Sequence, residues 1–271
     1  MCGIIGLVGQ TKEDRWGESY RLLAALFLAA EVRGRDATGF VGLTDSLESP
    51  LRQSIVVAKA PLKASTFVET NAIWRRLRRQ RCSVVLGHVR AATHGDPHEL
   101  GNDPDETGGI NNHPHWSDDL YLVHNGILPR YREIADRYSV TMRSNCDSEV
   151  LLRVIEKAPS PAEGMAACLR EEPGAIGLFD ARHKTLYLGR SAGRPLWFCR
   201  LRQDRRVLIA STAAIILSAL KSALGDAAAD RIEMLAPLAP YFVYALTADG
   251  SLMSVYGTEI RPAHSSTELW T

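Results

Sequence analysis

Residues 1–9 read MCGIIGLVG, a glycine-punctuated apolar run with a cysteine directly behind the first methionine. A short continuous apolar stretch of this kind fits a strand buried in a core. Cys2 at its head is either packing, as free cysteines commonly are, or chemistry. If Met1 is removed, the thiol shares its residue with a free α-amine whose unperturbed pKa is about 7.7–8.0. One residue then supplies both nucleophile and general base, which is the logic of N-terminal nucleophile enzymes. The choice between the two readings depends on whether the rest of the chain offers partners for such a nucleophile.

Outward from this stretch, residues 16–32 carry apolar residues at helical spacing, closed by Gly34, and the turn RGRDATG (33–39) follows. The runs FVGLT and SIVVAKA read as strands, and residues 64–80 read as one amphipathic helix. CSVVLGHVRAA (82–92) is β-branched enough for an internal strand, and it empties into a polar stretch over 93–115. Loops of that length inside a domain are usually lids or binding loops. DLYLVHNGIL then reads as a strand, PRYREIADRYSV as a helix, and SNCDSEVLLRVIEK as a helix with Asp147 just inside its start. From residue 174 onward, GAIGLFDARHKTLYLGRS and RPLWFCRLRQDRRVLIAS each hold two strands around a polar turn. The helix TAAIILSALKSAL and a closing pair, YFVYALTADGSLMSVY, complete the pattern. Strands joined as hairpins, with helices before and between them, predict an α+β fold of antiparallel sheets with helices packed outside. No repeat, low-complexity tract or linker interrupts the 271 residues, so a single domain over 1–271 is expected.

Composition excludes several function classes. Thirty-two Lys and Arg against 31 Asp and Glu give a net charge of +1, which argues against nucleic acid or an anionic membrane as partner. The run WRRLRRQR (74–81) reads as a solvated helix face; if it has a function, docking of a protein partner fits better than DNA. No apolar run reaches membrane-spanning length and the N-terminus lacks a secretory pattern, so a cytoplasmic protein is expected. Five scattered cysteines, Cys2, Cys82, Cys146, Cys168 and Cys199, contain no C-x-x-C pair and argue against a disulfide framework or a thiolate zinc site. Six of the eight histidines, His88, His94, His98, His113, His115 and His124, fall between residues 88 and 124. They form no HExxH or H-x-H-x-D pattern, so neither a metal nor a cofactor is expected.

Partners for the thiol do occur. GHVRAATHG (87–95) puts Arg90 and His94 at a strand end, where a guanidinium can grip a carboxylate with two parallel hydrogen bonds. LVHNGIL (122–128) offers the Asn125 side-chain amide beside the unhindered Gly126 N–H, a pair able to hold an oxyanion, although Asn-Gly is also a strong hairpin signal. Asp147 can receive an ammonium group or serve as a first-turn helix acid. Together these groups suit an α-amino acid with a side-chain carbonyl.

MCGIIGLVG, RGRDATG, GHVRAATHG, NNHPH, LVHNGIL and SNCDSEV stand here in the order and approximate spacing of the class II glutamine amidotransferases. The chain resembles most closely the glutaminase domain of the glucosamine-6-phosphate synthase, amidophosphoribosyltransferase and asparagine synthetase group. The likeness continues through GAIGLFDAR, LGRSAGRPLW and IASTAAIIL. It implies the Ntn-hydrolase architecture, a four-layer αββα sandwich of two mainly antiparallel sheets between helix layers. It also implies that Cys2, freed by loss of Met1, attacks the side-chain amide of L-glutamine, giving glutamate and ammonia through a γ-glutamyl thioester. By the same resemblance, Arg33 lies near the nucleophile, and Arg90, Thr93 and His94 hold the α-carboxylate and form the loop that closes over glutamine. Asn125 and Gly126 match the oxyanion hole, and Asp147 the acid that binds the α-amine.

Arg35 and Ala91 stand where the family often has aromatic residues, which argues against glucosamine-type acceptor chemistry, and DPHELGNDPDETGGI (96–110) lengthens the glutamine loop. No synthase domain is expected on the chain, so the ammonia is expected to pass to a separate synthase subunit. Two other functions compete: an Ntn-type hydrolase of another γ-glutamyl amide, and a non-catalytic glutamine-binding regulatory module. The MCGI opening favours glutamine over the first. The set Cys2, Asn125 and Gly126 speaks against the second, because binding alone needs only the carboxylate and amine contacts.

Overall fold

In the computed structural model, which describes residues 1–9, 16–45, 53–101, 108–202 and 206–256, the opening stretch forms β1 (Gly3–Val8), buried along its whole length. Alternate side chains serve two different cores. Ile5 and Leu7 join Leu22, Leu26 and Phe27 on one side, and Ile4 and Val8 meet Val123, Phe179 and Leu186 on the other. A strand covered on both faces needs no polar alternation, which is why this sequence is continuously apolar.

With elements numbered in chain order, β1 lies antiparallel between β4 (Cys82–Arg90) and β10 (Val207–Ala210). Adding β2 (Ala37–Asp45), β3 (Gln53–Ala60), β9 (Trp197–Leu201) and β11 (Ile232–Pro237) gives a seven-stranded sheet in the order β11-β9-β10-β1-β4-β2-β3. A second sheet, in the order β13-β12-β8-β7-β6-β5, uses β5 (His115–Ser117), β6 (Leu120–Asn125), β7 (Ala175–Asp180), β8 (Thr185–Arg190), β12 (Val243–Thr247) and β13 (Leu252–Tyr256). The sheets face each other across the core that holds Ile4, Val41, Leu86, Tyr121, Val123 and Phe179.

Helices cover the outer faces. On the first sheet lie α1 (Trp16–Ala30), α2 (Ala64–Thr70), α3 (Ala72–Leu77) and α7 (Ala213–Leu224), and the shared core includes Phe27, Phe67, Trp74 and Ile216. On the second lie α4 (Tyr131–Arg137), α5 (Glu149–Lys157) and α6 (Pro161–Leu169), packed through Ile134, Leu151, Val154 and Met165 onto Leu122 and Leu178. The result is the expected four-layer αββα arrangement, with every strand pair among the described residues antiparallel.

Three local expectations are corrected. The helix expected over 64–80 is two helices, because the Asn71 Oδ1 accepts from the Trp74 N–H (2.9 Å) and caps a new start. Within its arginine-rich part, Trp74 and Leu77 are buried and Arg75, Arg76, Arg78 and Arg79 face solvent, as a solvated face should. Asp147 precedes the helix rather than opening it, since Ser148 is the N-cap of α5. Asn125 and Gly126 do stand at a strand end, as expected; it is the alternative, an Asn-Gly hairpin turn, that does not form, since β6 ends there and the chain runs on into α4. The strand β11 and the helix α6 are additions: α6 starts where the Ser160 hydroxyl accepts from the Glu163 N–H (3.3 Å) with Pro161 in its first turn. Among the described residues no helix is long and apolar enough to cross a membrane.

Candidate active site

β1 delivers Cys2 to the end of the first sheet. Gly3 pairs with Val89 and Ile4 with His88, so Cys2 arrives beside the end of β4, and its Sγ contacts the Ala91 carbonyl at 3.5 Å. The turn after α1 closes over it: Arg33 Nε donates to the Cys2 carbonyl (2.8 Å). That turn lies flat on the end of β4. A Cβ on Gly34 would stand 2.3 Å from the Arg90 carbonyl carbon, so only glycine permits the approach. Asp36 completes the join, with its N–H donating to Arg90 O (3.0 Å) and its Oδ2 accepting from Ala92 N (2.7 Å). RGRDATG and GHVRAATHG are therefore one docked unit, and Asp36 is its hinge pin.

Burial raises the Cys2 thiol above its ordinary pKa, the chain's amino terminus and Arg90 draw it down, and the Asp147 carboxylate pushes it up. The thiol thus sits within electrostatic reach of both Arg90 and Asp147. Arg90 is buried. Its Nη1 donates to Asn112 Oδ1 (2.8 Å), and its Nη2 donates to the His94 carbonyl and to the Gly95 carbonyl (3.0 Å). The residue expected to grip a substrate carboxylate thus serves here as the internal tie of the loop. Thr93 is exposed on that loop, and His94 is half-buried, with its Nδ1 3.6 Å from Asp147 Oδ2 and its ring edge-on to Tyr131. Beside His94 lies an open groove of about 410 Å³ lined by Pro129, Arg130, Tyr131, Arg132 and Glu133. The centre of the inserted loop, residues 102–107, lies outside the described residues.

The second sheet contributes the other half. Asn125 ends β6, and its Nδ2 lies 3.4 Å from Ser211 Oγ, which also accepts from Ile4 N (2.9 Å). Ser211, at the end of β10, is a residue the sequence reading did not select. It bridges the strand that carries Cys2 to the amide expected at the oxyanion, and its N–H bonds back to Ile4 O (3.0 Å). Asp147 is buried, and its Oδ2 accepts from Leu128 N (2.7 Å), which holds the segment after Gly126. The loop that presents Asp147 is fixed by Glu149, whose carboxylate accepts from Arg143 N (2.9 Å), Ser144 N (2.6 Å) and Arg153 Nε (2.8 Å).

Behind the Asn125 end, His124 is buried, with Nε2 2.8 Å from Pro173 O and Nδ1 2.8 Å from Ser148 Oγ. Burial holds the buried histidines neutral; His88 is pushed down to about 3. A methyl group on Gly126 would stand 1.7 Å from Pro173 O and 2.5 Å from His124 Nε2. We expect Gly126→Ala to force the β6 end away from the 173–174 turn and to destabilise by about 1–3 kcal/mol or more. Thermal unfolding checks this, and an unchanged midpoint would contradict the packing.

Residues 109–218 match the family described as a glutamine amidotransferase domain. The glutamine–fructose-6-phosphate aminotransferase (isomerizing) of Caulobacter vibrioides is 30% identical over 213 residues, covering 72% of this chain and 29% of that protein. The enzyme of the same name from Bacteroides thetaiotaomicron is 29% identical over 211 residues, covering 72% and 30%. This chain thus spans about 30% of the length of these relatives. Among solved structures, the glutamine phosphoribosylpyrophosphate amidotransferase of B. subtilis, complexed with ADP and GMP, superposes with a TM-score of 0.66 at 17% identity. That match covers 95% of this chain and 50% of the other, and shows the shared fold. The N-terminal cysteine strand, the four layers and these matches lead to one conclusion: the chain carries a class II glutamine amidotransferase domain.

Proposed function

We propose that the chain hydrolyses L-glutamine to L-glutamate and ammonia through a γ-glutamyl thioester on Cys2. The observation that carries this reading is the Ser211 bridge, which joins the strand holding Cys2 to the Asn125 amide. In the proposed cycle, the α-amine of Cys2 takes the thiol proton as sulfur attacks the side-chain carbonyl carbon. Negative charge develops on the carbonyl oxygen, where the Asn125 Nδ2–H and the Gly126 N–H donate to it. The carbon–nitrogen bond then breaks, and the amine returns its proton to the departing nitrogen, which leaves as ammonia. Water attacks the thioester with the amine again as base, releasing glutamate and restoring the thiol.

Asp147 supplies the charge that receives the substrate α-ammonium. Arg90 holds His94 and Gly95 in the loop and adds positive charge for the α-carboxylate, and Thr93 and His94 close over the substrate from that loop. Arg33 keeps the Cys2 carbonyl, and with it the nucleophile, in register. The relatives are named for aminotransfer rather than for glutamine hydrolysis alone, which supports delivery of the ammonia to an acceptor. We assign that acceptor chemistry to a separate synthase partner.

The test uses glutamine labelled with ¹⁵N at its amide. Equal amounts of glutamate and labelled ammonia should appear, and a glutamine-like electrophile should modify Cys2. Glutamine that binds without turnover would leave only the non-catalytic reading. Protein that retains Met1 should be inactive, because its Cys2 nitrogen is an amide without a basic lone pair. The base must be neutral to accept a proton, so kcat/KM should fall as pH drops below the amine pKa, about 7.7–8.0 unperturbed. A rate that stays flat down to pH 5 would remove the amine from the mechanism.

A further inference from the structure

The active-site account leaves part of the histidine cluster unused. His113, His115 and Cys146 are each at least 96% buried, and one donor atom from each lies within 4.8 Å of the other two. They come from two segments: His113 and His115 from the entry into β5, and Cys146 from the loop into α5. Neither ring nitrogen of His113 has a hydrogen-bond partner among the described residues, and neither does His115 Nε2. A neutral imidazole carries one donor and one acceptor, and burying them unmet is costly enough that such groups are rare in folded proteins. Two buried imidazoles with unmet nitrogens beside a buried sulfur need an explanation, and the packing that holds them is tight. The His113 ring lies 4.1 Å from that of His88 and 4.7 Å from that of His115, and a Cβ on Gly39 would stand 2.1 Å from His113 O.

We infer that His113, His115 and Cys146 form a binding site for a soft transition-metal ion, Cu(I) or Zn(II). Two imidazoles and a thiolate are the donors these ions prefer, whereas Mg²⁺ and Ca²⁺ require oxygen ligands. Binding replaces the S–H bond of Cys146 with a metal–sulfur bond and releases the proton to solvent, with no electron transferred. Charge balance selects between the two ions. Lys59 Nζ and Arg90 Nη1 both donate to Asn112, next to His113 (3.0 and 2.8 Å), so the buried site already has two cations beside it. A monovalent ion with one thiolate adds no net charge there, whereas a divalent ion adds one positive charge. Cu(I) is therefore held more tightly. A small cavity of about 20 Å³ touches His115, with Trp116, Arg143, Ser144, Glu149 and Arg153 around it, and has room for about one water molecule.

The site acts as a staple. His113 directly follows Asn112, which accepts from Arg90 and whose Nδ2 donates to Pro97 O and Gly108 O (both 2.7 Å), while Cys146 directly precedes Asp147. An ion shared by the two segments would stiffen the loop hub and the acid that flanks it.

The test titrates the full chain with Cu(I) delivered from a competing chromophoric chelator and, separately, with Co²⁺ as an optical probe of the Zn(II) geometry. One ion per chain is expected, with a thiolate-to-cobalt charge-transfer band, a higher thermal midpoint in the presence of metal, and Cu(I) held more tightly than Zn²⁺. Cys2→Ala should bind as the unaltered chain does, which separates this site from the nucleophile. Cys146→Ser, which keeps the volume, should bind more than about 100-fold more weakly. X-ray absorption on the unaltered copper-loaded chain reads the ligands without any variant and should give one sulfur and two imidazole nitrogens. Absence of stoichiometric binding, or full binding by a folded Cys146→Ser, would overturn the site, as would a ligand set without sulfur.

Discussion

On the proposed function, Cys2→Ala should all but abolish release of ammonia from glutamine while leaving the fold intact. The expected loss is on the order of 10⁴- to 10⁶-fold, the scale seen when a nucleophilic enzyme loses a member of its catalytic group. The structural effect is small by comparison. Cys2 precedes β1, is not fully buried, and its Sγ makes one long contact with the Ala91 carbonyl at 3.5 Å. Its removal should change stability by less than about 1 kcal/mol. The two measurements, turnover of glutamine and thermal midpoint, therefore separate chemistry from packing. Glutamine hydrolysis that persists in Cys2→Ala would refute the assignment outright, and a midpoint that collapses would show Cys2 to be part of the core.

Asn125→Ala should lower kcat by about 10²–10³-fold, equivalent to about 2.7–4 kcal/mol of transition-state stabilisation, with little change in KM. The amide N–H is needed only once charge has moved onto the carbonyl oxygen, so its loss falls on the chemical step rather than on binding. Asn125 is buried, and alanine also leaves a void behind it. Asn125→Asp keeps the shape but replaces the donor with a negative charge, and should lose at least as much. If the shape-keeping variant retained full turnover, the oxyanion role would be gone. Ser211→Ala should have a smaller effect, since Ser211 orients Asn125 without touching substrate and its contact with Nδ2 is long, at 3.4 Å.

Much of the fold is legible because burial leaves a periodic trace. β1, β4 and β7 are covered on both faces and read as continuous apolar runs, while the hairpins of residues 174–211 announce themselves by two strands around a polar turn. The missing pieces lack such a trace. In α6 the run Gly164–Leu169 is almost uniformly buried, so no apolar stripe marks it as a helix. No residue of β11 is buried, and it joins the sheet through a bulge between Ile232 and Met234. The break at Asn71 is a capping choice made by one side chain, invisible to a window that averages over helical turns.

The candidate site divides along the same line. Cys2, Arg90, Asn125, Gly126 and Asp147 can be singled out because their residue types match a chemistry and lie at strand or helix ends. Ser211 and Asp36 carry no such mark; they matter only because a hydroxyl meets a backbone N–H 207 residues away and a carboxylate meets one 56 residues away. The expectation of no metal followed from ligand spacing along the chain, which says nothing of His113, His115 and Cys146 converging from two segments.

The sequence alone determined that this chain builds two-faced strands with helices outside them, that a thiol stands at the head of its first strand, and which residue types could serve that thiol. Local pattern records how deeply a residue is buried and with what period, because each is set by neighbours a few positions away. Only the tertiary structure decided that Arg90 spends its donors on the glutamine loop, that Ser211 joins the nucleophile strand to Asn125, and that two histidines meet Cys146. Those are meetings between strand ends and loops far apart in the chain, set by how two sheets register across a shared core.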